Sequence, residues 1–380
     1  MRHLHPITPS VVRERVRQAL RPVLDWKPFH ESVGVDALLD LLTLMAASGA
    51  SLFATVGRFF KFSHQTGSLA VKANLPDRAN IDRLIRGLVD GLYDVLAFSS
   101  RDRRRPWMAA IDLHNVPYYG PPTPDVVGGQ KKQGTQWFFV YATAVLLHKG
   151  RRYTIALTPV RPRSKPHEIV RLLLDQIAQK GLKIRGVTLD SGFDSGETLL
   201  LLQDRKLAYS VPLRRKGKGS NPRNNCFEGP HQRIRWMEWT TKQTRQPVRT
   251  LTLLWKKGPK RMLFAFQGWS GDRARDLHQR AEYARRLYRR RFGIETSYRQ
   301  KNQAKAMTTS KDPVYRLLLE GLAYLFRQVW VRLTELLGRR SHASPNAWIS
   351  ALPMQRMLDW LVRELTNLHP ETLEINGATA

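Results

Sequence analysis

The amino-acid sequence predicts an α/β protein in which a helical N-terminal region precedes a core built on a mixed sheet. Three observations carry this expectation. Apolar runs of strand length alternate with amphipathic helical stretches across the middle of the chain, which argues a sheet with a parallel component. Single acids, Asp112 and Asp190, stand in or at the end of two of those apolar runs. A third acid, Glu295, sits downstream on an intensely basic helical stretch.

The N-terminal helices are expected over Val11–Leu24, Val35–Ala47, Ser51–Phe60 and Arg78–Phe98, with Arg83 and Arg86 flanking the last. Such a module reads either as a DNA-binding domain or as a helical cap with no DNA contact. The uncharged stretch Leu41–Gly57 is shorter than the roughly 20 residues a membrane span needs and suits buried helices better. Arg101–Pro106 reads as a basic linker. The stretch Met108–Gly120 is a strand carrying Asp112, ended by Pro117 and a turn near Gly120. Two further strands, Trp137–Leu147 and Tyr153–Val160, are joined by the short turn His148–Arg152. Ser164–Glu168 opens a helix with apolar Ile169, Leu172, Leu173 and Ile177, closed by Gly181. The strand from Ile184 to Leu189 then delivers Asp190 at its carboxyl end, where open α/β sheets place ligand sites. Asp194 and Glu197 have capping-box spacing, which assigns Asp194 to the cap of a helix over Glu197–Leu202, before the strand Leu207–Leu213. Three strands, then alternating helix and strand, then an acid-bearing helix, is the element order of an RNase H-like core.

Between Leu213 and Glu295 lies more chain than such a core needs. Arg214–Arg223 reads as a mobile basic loop, followed by strands Ile234–Thr240, Val248–Trp255 and Met262–Phe266. Trp236, Trp239, Trp255 and Trp269 fall in this β-strand insertion. Core packing accounts for most of them, and Trp236, Trp239 and Trp255 are also candidates to stack on a flipped base. Two C-terminal helices are expected, Pro313–Leu337 and Ala347–Asn367, with Leu317, Leu318, Leu322, Leu325 and Val329 covering the sheet and a loose tail after His369. The domain boundaries follow: 1–100 helical, 101–213 first part of the core, 214–270 insertion, 271–337 last part of the core, 338–380 C-terminal helices.

At about 100° per residue, Tyr288, Arg291, Glu295 and Arg299 share one helical stripe, with Asn302 close to it. Glu295 there either pairs with Arg291 and Arg299 at i−4 and i+4 or serves as a metal-binding carboxylate between phosphate-binding arginines. For Asp112 and Asp190 the alternatives are burial with satisfied hydrogen bonds or a metal, because acids rarely sit in apolar strands without a partner.

The spacing Tyr288-x2-Arg291-x3-Glu295, with Ile111-Asp112-Leu-His and Leu189-Asp190-Ser-Gly-Phe upstream, resembles the DDE transposases of prokaryotic insertion sequences over roughly residues 105–335. That resemblance implies an RNase H-like catalytic core in which Asp112, Asp190 and Glu295 bind two Mg²⁺ ions, with Mn²⁺ as substitute. It implies cleavage at transposon ends and strand transfer to target DNA, by a homodimer assembled on DNA. It also implies DNA contacts from Tyr288, Arg291, Arg299, Lys301, Asn302 and Lys305. Many members carry Lys seven residues after the Glu, where this chain has Asn302; Lys301 and Lys305 are adjacent, and Arg299 is the expected substitute. Two other readings remain: an RNase H-fold repair or junction nuclease, and a non-catalytic basic DNA-binding protein.

Composition points the same way. With 63 Lys plus Arg against 31 Asp plus Glu, a formal charge of +32 calls for a polyanionic partner. Nucleic acid is favoured over membrane, since no lipidation motif or signal peptide is evident. The single Cys226 excludes an intramolecular disulfide and a cysteine zinc cluster and fits a reducing cytoplasm.

Overall fold

A computed structural model describes residues 6–148, 151–217, 219, 221–241, 243–268, 276–341, 349 and 351–369. Trp269, the start of the expected helix at Ala347 and the tail after His369 lie outside them. The chain forms two compact units, residues 1–97 with 297–380, and residues 98–296.

The first unit is helical: α1 (Pro9–Leu20), α2 (Val35–Ser48), α3 (Leu52–Phe59), α4 (His64–Asn74), α5 (Ile81–Asp94), α12 (Pro313–Ser341) and α13 (Met354–Leu368). Side-chain caps start several of these. Thr8, Ser51 and Ser63 each accept a bond from a backbone N–H three residues on, satisfying donors the helix itself leaves open. Helix α4 was not anticipated, because His64-Gln-Thr-Gly-Ser carries little apolar periodicity; Ser63 supplies its start. Gly49, in the left-handed region at φ 64°, ends α2, and the chain bends by 115° into α3. No single described helix is long and apolar enough to cross a membrane.

Helix α5 approaches α1 so closely that a Cβ on Gly91 would lie 2.4 Å from the Ala19 carbonyl oxygen, and one on Gly87 would lie 2.0 Å from that of Val23. Leu317, Leu318, Leu322, Leu325 and Val329 are buried as α12 packs against α1 and α5. Residues 297–337, expected with the core, group with these N-terminal helices in the first unit. Lys301, at the end of α11 (Gly293–Lys301), is fully buried against the Glu320 carboxylate of α12. Burial pushes the Lys301 ammonium down to about 8, against the pull of Glu320.

The second unit holds a nine-stranded sheet: β1 (Trp107–Tyr118), β2 (Val127–Lys132), β3 (Thr135–His148), β4 (Arg151–Val160), β5 (Ile184–Leu189), β6 (Ala208–Leu213), β7 (Arg233–Thr240), β8 (Pro247–Lys257) and β9 (Lys260–Gln267). The order is β2-β3-β1-β5-β6-β9-β8-β7, with β4 also paired to β3. Strands β1, β5 and β6 run parallel, and β3, β4 and β9 join antiparallel. The insertion is thus a continuation of the sheet through the β6–β9 ladder. Strand β2, with Gly128-Gly-Gln-Lys, lacks apolar alternation and was not foreseen. The expected linker coils into α6 (Ser100–Arg104), started by a Ser99–Asp102 capping box. Helices α7 (Pro166–Gln179), α8 (Gly196–Asp204), α9 (Pro222–Asn225) and α10 (Leu277–Arg291) complete the unit. Ala281, Ala284, Leu287 and Tyr288 of α10 bury against Met108, Ala208, Leu251, Leu253, Phe264 and Phe266 of the sheet.

Lys301→Ala is expected to cost about 3–5 kcal/mol in chemical denaturation, because it removes the cation that faces the buried Glu320 carboxylate. Replacing both partners, Lys301→Met with Glu320→Leu, should recover most of that loss. Equal stability of the single and double variants would show that the pair does not carry this part of the fold.

Candidate active site

Strand register brings the first two acids together. Ile111 of β1 pairs with Leu189 of the parallel strand β5, so the next residues along each, Asp112 and Asp190, come side by side. Adjacent strands lie about 4.8 Å apart, so two carboxylates there feel each other strongly. Alternation along β1 puts Asp112 on the same face as Met108, which packs in the cluster under α10. That face meets the end of α10, where the third component arrives.

Arg291, the last residue of α10, donates from Nη1 to Asp112 Oδ2 at 2.8 Å and lies with Nη2 3.4 Å from Asp190 Oδ1. Its Nη2 also donates to the Tyr288 hydroxyl at 3.4 Å, one turn back. Arg291 is 4% exposed and Tyr288 5%, with the Tyr288 ring edge-on to Phe264 at 5.1 Å. Arg291 Nε is buried with no hydrogen-bond partner. Burial opposes the Arg291 charge, but Asp112, Tyr288 and Asp190 outweigh it and hold the guanidinium above its usual range. Burial pushes the Tyr288 hydroxyl up despite the counter-pull of Arg291.

The basic stretch is not one unbroken helix. Helix α10 ends at Arg291, Phe292 forms a turn, and Glu295 lies in the first turn of α11. Glu295 is exposed, and among the described residues no ion pair joins it to Arg291 or Arg299. Its charge instead bears on Asp112. Burial, then Asp190 and Glu295, push the Asp112 carboxyl up to about 6, against Arg291 and the Leu113 N–H, which donates to it at 3.0 Å.

The remaining expected residues divide. Arg299 and Asn302 are exposed and Lys305 is half-buried, all in the first unit. Lys301 is completely buried against Glu320, and Tyr288 lies in the apolar cluster under α10. Trp236 is 51% exposed, with the Arg249 guanidinium 4.5 Å from its ring. Trp239 and Trp255 are half-buried, the latter under Arg285 at 3.7 Å.

Two sequence expectations fail together nearby. Ser195, rather than Asp194, caps α8. Asp194, 2% exposed, accepts from the Arg214 N–H at 2.9 Å and pairs with Lys216 at 2.8 Å and Arg223 at 3.1 Å. The basic segment 214–223 is therefore anchored on a buried carboxylate rather than free. Local spacing could not reveal this, since Arg223 lies 29 residues from Asp194.

Among the described residues, no group of three His, Cys, Asp or Glu side chains is arranged to hold a metal ion. In this arrangement Arg291 is the cation that Asp112 and Asp190 share. That role is long-range, and nothing in the helical spacing of Arg291 announces it.

No protein-family model and no curated protein matches the chain. A solved structure described as a cryo-EM structure of a piggyBac transposase synaptic complex with hairpin DNA is similar, at a TM-score of 0.56. Identity is 12%, and the match covers 98% of this chain and 84% of that one, so the two share a fold.

In buffer free of divalent ions, Asp112 makes stability depend on pH. Between about pH 4 and 6 the folded protein keeps a proton that the unfolded chain has released, so stability falls as pH rises through that window. The drop is about 3 kcal/mol. Asp112→Asn, which never ionises, should gain about that much relative to wild type between pH 4 and 7 in denaturant melts. Parallel pH profiles for the two proteins would contradict the raised carboxyl.

Proposed function

We propose that this chain is a metal-dependent DNA transposase of the insertion-sequence type, with an RNase H-like catalytic core. The observation that carries the reading is the meeting of Asp112 and Asp190 at adjacent parallel strands, within the field of Glu295. Three further points support it. The strand order β4-β3-β1-β5-β6, with β1, β5 and β6 parallel, is compatible with an RNase H-like sheet. The Tyr288-x2-Arg291-x3-Glu295 spacing fits the insertion-sequence group. The fold is shared with a piggyBac transposase whose structure holds hairpin DNA.

The donor set suits a hard divalent cation such as Mg²⁺, with Mn²⁺ as substitute, because it consists of carboxylate oxygens. The mutual repulsion that helps push Asp112 up to about 6 is what such a cation relieves. Asp112, Asp190 and Glu295 would hold the metal, two ions in this reading, which supplies activation of the attacking oxygen and stabilisation of the leaving one. At neutral pH Asp112 is already ionised, so no proton blocks binding. Arg291 would give up its hold on the two acids and turn its fork to a phosphate flanking the scissile bond, with Tyr288 fixing its direction. Arg299, Asn302 and Lys305 remain candidates for further backbone contacts, Arg83 and Arg86 on α5 for end recognition, and Trp236 for base stacking. A chain at +32 repels its copies until phosphates neutralise them, which favours a dimer formed on DNA.

Asp112→Ala, Asp190→Ala and Glu295→Gln should each reduce Mg²⁺-dependent cleavage of a transposon-end duplex by more than the roughly 10–100-fold typical of losing an outer-shell partner. Binding to that duplex should stay within about twofold in a gel-shift titration carried out in parallel. Wild-type cleavage rates in Glu295→Gln would remove Glu295 from the centre.

A further inference from the structure

At the other end of the parallel strands the second unit carries a basic cavity of about 490 Å³. It opens where β1 and β5 begin, with Trp107 opposite Ile184, whereas the acid centre lies where β5 ends. Arg105, Arg152, Arg185 and Arg290 line it, together with Trp107 and His148, and no lining residue is acidic. These arginines come from four separate elements of the chain, so the convergence is made by the fold and by no single basic run. Among the described residues Arg105, Arg185 and Arg290 pair with no carboxylate. Neutral groups meet Arg105, Arg185 and Arg152 instead. Arg105 lies 4.8 Å from the Trp107 ring, Arg185 donates to the Tyr283 hydroxyl at 3.4 Å, and Arg152 donates to the Arg290 carbonyl at 2.5 Å.

We infer that this cavity binds backbone phosphates of a nucleic acid segment lying beyond the cleavage site. Like charges gathered in one cavity repel each other, a phosphate between them relieves that repulsion, and arginine forks match phosphate oxygens in pairs. Burial and then the neighbouring Arg290 charge hold the Arg152 guanidinium below its usual range, a repulsion that a phosphate between them would reverse. The volume is within the roughly 300–1,000 Å³ of ordinary ligand sites. Five residue steps lead from Arg185 in β5 to Asp190 just after it, about 16 Å at about 3.3 Å per residue. That spans roughly five base-pair steps at about 3.4 Å each, so the Arg185 end of the cavity reaches phosphates beyond those at the scissile bond, while Arg290 adjoins Arg291. The occupant rests on the DNA reading above; the site itself is defined by its arginines.

The test compares full-length wild type with a triple variant, Arg105→Gln, Arg185→Gln and Arg290→Gln, in duplex binding across a salt series. Arg152 is kept because its bond to the Arg290 carbonyl helps close the fold. The slope of log affinity against log salt should fall by about three, one per lost contact. A charge-matched control at Arg103, Arg171 and Arg286, all exposed elsewhere, should lose clearly less. Methylphosphonates placed about five steps from the cleavage site should weaken wild type and leave the triple variant unchanged. Equal losses in variant and control, or an unchanged slope in the variant, would overturn the cavity while leaving the DNA reading intact. Wild type that binds no duplex would overturn both. Inorganic tripolyphosphate that binds wild type but not the triple variant, with duplex binding the same in both, would make free polyphosphate the ligand and overturn the DNA assignment.

Discussion

The guanidinium of Arg291, clasped between Asp112 and Asp190, is the contact on which the second unit is organised. It sits where the end of α10 meets the parallel strands, so it fixes both the helix and the acid-bearing loop after β5. A buried carboxylate without that partner would leave the sheet uncompensated, and a buried guanidinium without the acids would be equally costly. In the proposed function the same contact would be exchanged during binding. A better cation at the acids would release Arg291, and a phosphate at Arg291 would release the acids. Metal and DNA would then help each other bind, each relieving a constraint on the other.

Excess positive charge sets the second constraint. With only 31 carboxylates against 63 basic residues, single acids act as hubs for several cations. Asp40 takes Arg13 and Arg17, Asp194 takes Lys216 and Arg223, and Glu228 takes Arg215 and Arg261. Each hub ties segments far apart in sequence. What remains uncompensated is gathered on surfaces, including the arginine-lined cavity at the start of β1, where an external polyanion completes the balance.

Much of this was legible in the sequence, and the reasons for the gaps are physical. The strands bearing Asp112 and leading to Asp190 are apolar runs broken by one acid, so their positions followed from local pattern. The insertion strands were equally visible, yet that they extend the same sheet depends on β6 meeting β9, a pairing with no local signature. Strand β2 and helix α4 lack periodicity and are held by their neighbours or caps. The stripe from Tyr288 to Arg299 suggested one continuous helix; the turn at Phe292 breaks it, and Arg291 looks back to the sheet while Glu295 begins a new helix. Lys301 looked like a phosphate ligand because charge in sequence says nothing of burial, and only the fold reveals Glu320 beside it.

The central claim is that Asp112, Asp190 and Glu295 form one divalent-cation centre, and metal-directed cleavage of the protein's own backbone tests it most directly. Fe²⁺ replaces Mg²⁺, and ascorbate with peroxide generates radicals that cut the chain close to the bound ion. The account predicts fragments ending near residues 112, 190 and 295, all suppressed by excess Mg²⁺ and all lost together in Asp190→Ala. Fragments at other positions only, or cuts near 112 that persist in Asp190→Ala, would contradict it.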